Sequence, residues 1–140
     1  MRISIAEVGQ AFQSAFMSGP FYDEANTAWP NKSYAPSPLT PWWAAKIVAV
    51  SRIRVGGGLN GCFHWTGNFQ VDCYTQLGAG ELPNWTALDV VLSYFDSVKT
   101  LTTTNGLVIT LQGGTPTPSL TEKQWIHGIA RIPFFGVELP

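Results

Sequence analysis

Gly61-Cys-Phe-His-Trp-Thr-Gly-Asn-Phe-Gln-Val-Asp-Cys-Tyr74 is the stretch that decides the fold. Its odd positions are Phe63, Trp65, Gly67, Phe69, Val71 and Cys73, all apolar or small. Its even positions are Cys62, His64, Thr66, Asn68, Gln70, Asp72 and Tyr74, mostly polar. A period of two marks a β-strand with one buried and one wet face. At ~3.4 Å per residue the run reaches roughly 45 Å, well past an ordinary strand. Such a strand either crosses the whole domain or projects beyond it. Gly67 is the place for a bulge or bend that divides it.

Working outward, residues 42–55 alternate in the same way. Trp43, Ala45, Ile47, Ala49, Ser51, Ile53 and Val55 form one set; Trp42, Ala44, Lys46, Val48, Val50, Arg52 and Arg54 form the other. Gly56-Gly57-Gly58-Leu59-Asn60 links the two runs as an antiparallel connection. Pairing Val55 with Gly61 sets Ile53 against Phe63, Ala49 against Gly67, Ile47 against Phe69 and Trp43 against Cys73. The apolar faces then coincide. In this register Arg52 meets His64, and Lys46 lies opposite Gln70, diagonal to Asp72. The reading is a long β-hairpin over 42–74 with Arg52, Arg54 and His64 gathered near its tip.

Before the hairpin, residues 4–17 read as a helix. Ser4 and Glu7 have capping-box spacing, Ile5, Val8, Phe12 and Ala15/Phe16 make an apolar stripe, and Gly19-Pro20 ends it. Residues 21–29 hold a weak short strand. Four prolines over 30–41 give an extended surface loop. After the hairpin, Trp85, Leu88, Leu92 and Phe95, widened by Val91, define a second helix at about 82–97, with Pro83 in its first turn. Short strands at 98–103 and 107–112 join through Asn105-Gly106. Gly113 to Ser119 reads as a loop. Trp125 to Phe135 is the last strand, with Ile126, Gly128, Ala130, Ile132 and Phe134 inward and Trp125, His127 and Arg131 outward. The order predicts an α+β fold. It has a mixed, largely antiparallel sheet, a long projecting hairpin at about 42–74, and two main helices, about 4–17 and 82–97, packed on the sheet.

The chain's 140 residues suit one domain, 1–140. Charged residues are only 12% and the net charge is −1, so the clustered basic surface that grips a nucleic-acid backbone is missing. Six Trp, eight Phe and four Tyr suit either a surface partly covered by other subunits or a well-packed, lightly charged monomer. No segment reaches the ~18 apolar residues of a membrane span, and the amino terminus lacks the apolar core of a signal peptide. Cys62 and Cys73 fall on opposite strand faces, which argues against a disulfide and for synthesis in a reducing cytoplasm. The triplets at Asn31 and Asn84 read as chance matches to a glycosylation site.

Candidate chemistry is sparse. Cys62 and His64 share a strand face, but a metal needs a third ligand, and only His127 offers one through an unspecified fold contact. Asp72 is eight residues from His64, roughly 27 Å along a strand, too far to orient that imidazole. Gly56-Gly57-Gly58 joins two strands and lacks the Lys and following helix of a phosphate loop. No catalytic, metal or cofactor-binding residue is assigned. The basic tip touches either an acidic partner or a phosphate of passing DNA, or is a solvated strand end kept soluble by charge. Trp29, Trp42, Tyr74 and Trp125 are either interface anchors or a second small core under the Pro-rich loop.

In its order of features the chain resembles the tail terminator proteins of long, non-contractile-tailed (siphovirus-like) bacteriophages. The resemblance rests on the amino-terminal helix, Trp29-Pro30-Asn31, the Pro-rich loop ending in Pro41-Trp42-Trp43, and the strand–glycine turn–strand unit. It continues through Gly67 to Tyr74, Gly78-Ala-Gly80 before a helix ending near Phe95, and Trp125 ahead of the final 129–135 strand. It covers about residues 4–135. The resemblance implies a structural virion protein, not an enzyme, without cofactor or active site. It implies a homohexameric ring at the tail–neck junction that caps the tail tube, stops its polymerisation and meets the head-side connector or stopper protein. DNA passes through the lumen only as cargo, and no membrane is involved. Candidates for the subunit interface or lumen are Arg52, Arg54, Leu59, His64, Trp42, Trp125 and Arg131. The alternatives are another neck or tail-tube component, a small-ligand binding domain or a hydrolase.

Overall fold

The computed structural model describes residues 2–30, 34, 36, 40–56 and 61–140; side chains at 118, 119 and 122 are outside that description. The Pro-rich loop at 30–41 therefore falls largely outside it, as does the glycine connection at 57–60 with Leu59.

Helix α1 runs Ile5–Met17. Ser4 and Glu7 form the expected capping box: the Glu7 N–H donates to Ser4 Oγ at 3.2 Å and the Ser4 N–H to Glu7 Oε1 at 2.8 Å. These bonds satisfy donors that a helix start otherwise leaves open. Val8, Phe12 and Phe16 are buried, but Ile5 is 51% exposed; Ile3, ahead of the helix, takes the core position. The weak strand expected at 21–29 reduces to a 3-10 turn at Glu24–Asn26 and a two-residue strand, β1 (Thr27–Ala28).

The hairpin forms from β2 (Trp42–Val55) and β3 (Cys62–Gln76). Helix α2 (Leu82–Val98) follows, then β4 (Thr100–Thr102), β5 (Val108–Leu111), β6 (Thr115–Glu122) and β7 (Trp125–Glu138). The sheet has seven strands in the order β1-β2-β3-β7-β5-β4, with β6 also pairing β7. Among the described strand pairs β1–β2 alone is parallel. Strand β3 is central, flanked by β2 on one side and by β7 from Phe63 to Gln76 on the other. The α+β reading with a mixed, largely antiparallel sheet, a long hairpin and two helices holds. Residues 115–119, expected to be loop, belong to β6 instead. Pro116 fits because β6 is an outermost strand, where a missing N–H costs no ladder bond.

Both helices pack on one face of the sheet. Phe12, Phe16, Leu88, Val91 and Phe95 meet Phe69, Val71, Ile132 and Phe134 there, each contributing about 1.5–3 kcal/mol by burial. Phe12 stacks on Phe69 at 4.9 Å. In α2 the inward position expected for Trp85 is held by Asn84: Trp85 is 49% exposed and Asn84 fully buried. Asn84 Nδ2 donates to the carbonyls of Cys73 and Ile126, both at 3.0 Å, which makes burial of the amide tolerable. Gly128 makes room: a Cβ there would press into Asn84 Oδ1 and come within 2.7 Å of Leu88.

The hairpin register corrects the sequence reading at one end only. At the base, Trp43↔Cys73, Ile47↔Phe69 and Lys46↔Gln70 pair as expected. A bulge lies between Val48 and Ser51, with Ala49 at φ 54. Beyond it the pairs are Arg52↔Trp65, Ile53↔His64 and Val55↔Cys62, one residue off the expected set. Gly67 sits opposite the bulge; a Cβ there would be 2.8 Å from the Phe134 ring and 3.3 Å from Val50 Cα. A one-residue slip turns every later side chain to the other face. Arg52 and Arg54 therefore lie on the helix-side face with Phe63 and Trp65, while Ile53 and Val55 turn outward.

Candidate interaction surface

Among the described residues no helix lies on the outer face of the sheet. Its base half is an aromatic stack built directly on the register. Trp42, Tyr74 and His127 occupy facing positions on β2, β3 and β7. Trp42 and Tyr74 are parallel at 3.9 Å, and Tyr74 and His127 at 4.3 Å. Trp125 meets Trp42 edge-on at 6.2 Å, and Tyr34, from the Pro-rich segment, lies 5.3 Å from Trp42. Trp125 is 7% exposed. Trp42, Tyr74 and Trp125 pack together as a second small cluster with Tyr34 over it. Trp29 belongs to the main core, edge-on to Phe16 at 5.5 Å.

A polar ladder continues from the stack. His127 Nε2 and Asp72 Oδ1 are 3.0 Å apart, Gln70 Nε2 donates to Asp72 at 3.1 Å, and Arg131 Nη2 donates to Gln70 Oε1 at 3.0 Å. Asp72 does pair with an imidazole, but with His127 rather than His64. Sequence already placed Asp72 and His127 on outward faces; the 55 residues between them hid the contact. Among the described residues no three His, Cys, Asp or Glu side chains gather as metal ligands. His127 faces Tyr74, ten positions along β3 from His64. Cys73 points to the core, where burial pushes its thiol up to about 12, far from the reactive thiolate range.

The expected basic cluster at the tip is not formed. Arg52 is committed to Glu138: Nη2 donates to Oε2 at 2.6 Å and Nε to Oε1 at 3.1 Å, while the Trp65 indole N–H donates to Oε1 at 2.9 Å. The guanidinium covers the Phe63 ring at 3.5 Å. Hydrogen bonding to Arg52 holds the Glu138 carboxyl below its usual range. Arg54 also lies over Phe63, at 5.0 Å, whereas His64 is exposed on the opposite face. The bulge separates them. Arg131 is exposed at the middle of the outer face.

What the slip places outward instead is apolar. Ile53 (60% exposed) and Val55 on β2, Phe135 and Val137 on β7, and Val108 on β5 lie on the outer face around His64 and Thr66. No Asp, Glu, Lys or Arg occupies that end of the face in the register. Sequence reading missed this patch because it assigned Ile53 and Val55 to the core.

Two shallow concavities lie elsewhere: a polar cleft of about 410 Å³ between α1 and β4, and a groove of about 540 Å³ along α2 beside Pro20. No described helix is long and apolar enough to cross a membrane.

No curated protein matches this sequence. One solved structure superposes over 99% of this chain and 99% of its own with a TM-score of 0.71 at 15% identity, a likeness of fold. The family model for the phage tail terminator protein matches residues 7–134, from the first turn of α1 to Phe134 on β7. The chain belongs to the phage tail terminator protein family.

Proposed function

We propose that this protein forms a homohexameric ring that caps the tail tube of a long, non-contractile bacteriophage tail. The ring stops tube polymerisation and provides the joint to the head-side connector or stopper protein, with DNA passing through the lumen as cargo. Its place is the tail–neck junction of a virion assembled in the host cytoplasm. The observation that carries this reading is membership of a structural tail family over nearly the whole chain. The low charge and the exposed apolar end of the outer sheet face fit a protein that works by complementary surfaces rather than catalysis. Ring closure through head-to-tail contacts needs no cofactor.

The direct test adds the purified protein to polymerising tube subunits of the same phage. Tubes stop elongating and carry a six-fold cap at one end in negative stain. Tubes that grow on unchanged, with no cap, overturn the reading.

A further inference from the structure

A ring whose contacts are head-to-tail needs two different matching patches on each chain. The fold offers two on opposite layers. One is the uncharged apolar end of the outer sheet face, centred on Ile53, Val108 and Val137. The other is the outward side of α2, where Leu82 is 69% exposed, Trp85 49% and Val90 41%. Helix α2 covers the inner face of the sheet, so its outward side and the outer sheet face point away from each other. An operator that brings one onto the other is heterologous and leaves a free patch at each end for the next copy. A two-layer domain would thereby gain its missing third layer from its neighbour.

Size and charge favour this pairing. The sheet patch is on the order of several hundred Å², as large as the biggest apolar patches on monomers. With its polar surroundings it supplies the centre of a standard interface side of ~800 Å². It has no charge to desolvate, and interface cores are depleted in charge. On α2, Glu81 and Asp96 lie beyond the two ends of the Leu82–Val90 stripe, whereas Asp89, one turn from Trp85, lies on the same side within the contact. Its carboxylate needs a donor there, and His64 and Thr66 are the polar side chains of the facing sheet patch. The exposed edges of the sheet are less suited to joining copies. Strand β6 carries prolines, and β2 is broken by the Ala49 bulge and carries Lys46, devices that hinder edge pairing.

Resting on the ring reading above, we infer that the outer sheet face around Ile53 in one copy of this chain docks on the outward side of α2 around Leu82 in the next. The test uses Ile53→Lys and Leu82→Lys, both at exposed positions where folding tolerates the change, confirmed by an unchanged melting temperature. Native mass spectrometry reads the outcome. The unaltered protein gives rings. Each variant alone stays monomeric at concentrations at least about tenfold above those at which the unaltered protein assembles. An equimolar mixture gives one-to-one dimers and stops there, because the intact helix face of one variant pairs with the intact sheet face of the other and only the two altered faces remain free. Val108→Lys behaves as Ile53→Lys does. Rings from either variant under the original conditions overturn the pairing while leaving the ring reading intact. Two failing variants whose mixture stays monomeric also overturn it. An unaltered protein that remains monomeric at every concentration and on tube ends overturns the ring reading itself.

Discussion

The Glu7 carboxylate accepts the Ser4 N–H at the start of α1 and, from the β4–β5 turn, the Asn105 backbone N–H at 2.9 Å and its Nδ2 at 3.0 Å. These donors, Ser4 first, lower its pKa from 4.5 to about 2. A carboxylate favoured in the folded state stabilises the fold fully above its unfolded pKa. That contribution is lost as pH falls through the folded value. Stability of the unaltered protein should therefore decline between pH 4.5 and about 2, with Glu138 contributing in the same direction. Glu7→Gln should be less stable at pH 7 and show a shallower decline, read by urea denaturation across that range; parallel curves for the two proteins would refute the assignment. Gly128 makes a second residue-scale case. Gly128→Ala should cost about 1–3 kcal/mol by overpacking against Asn84 and Leu88. Asn84→Ala should cost about 1–3 kcal/mol by stripping two buried carbonyls of their donor. Because removing Asn84 makes room for the new methyl, the double variant should lose less than the sum.

At the scale of elements, the bulge in β2 decides which side chains the molecule shows. A non-glycine residue at φ 54 costs about 1–2 kcal/mol of strain, partly offset in a glycine variant by the extra freedom of its unfolded chain. Ala49→Gly should therefore stabilise by about 0.5 kcal/mol, whereas Ala49→Val, favourable in an ordinary strand, should destabilise by at least about 1 kcal/mol. Thermal denaturation of the pair gives opposite signs if the bulge exists, and the reverse order if β2 is regular. This is also where sequence was least informative. Alternation is local, so both strands, their pairing at the base, the Ser4–Glu7 cap and the Asn105-Gly106 turn were legible. Gly67 signalled an irregularity, but nothing about Ala49 says that it takes the left-handed conformation opposite. The choice of Asn84 over Trp85 depended on Cys73, Ile126 and Gly128, which share no local pattern with α2. The Asp72–His127 contact required knowing that β7 lies beside β3. Fold class was readable from order and period, and the family from a resemblance in the order of features; the exposed patch was not, because one extra residue reverses inside and outside.

At the scale of the whole molecule, the two cysteines report on assembly without any substitution. Cys73 is buried, its thiol raised to about 12 by burial first and by the Asp72 charge second. Cys62 is half-buried, opposite Val55 at the border of the apolar sheet patch. In dilute protein iodoacetamide should therefore modify one thiol per folded chain, at Cys62, and reach Cys73 only on unfolding. If the patch is covered by the next subunit, raising the concentration until rings form should slow modification of Cys62 at least about tenfold. Cys73 stays unreactive throughout, and peptide mass mapping separates the two sites. The Ile53→Lys variant at the same high concentration should keep the fast rate, because it folds but leaves the patch open. Equal Cys62 rates in monomer and ring would place the contact elsewhere, and the outer face would then remain free in the ring for the tube or the connector.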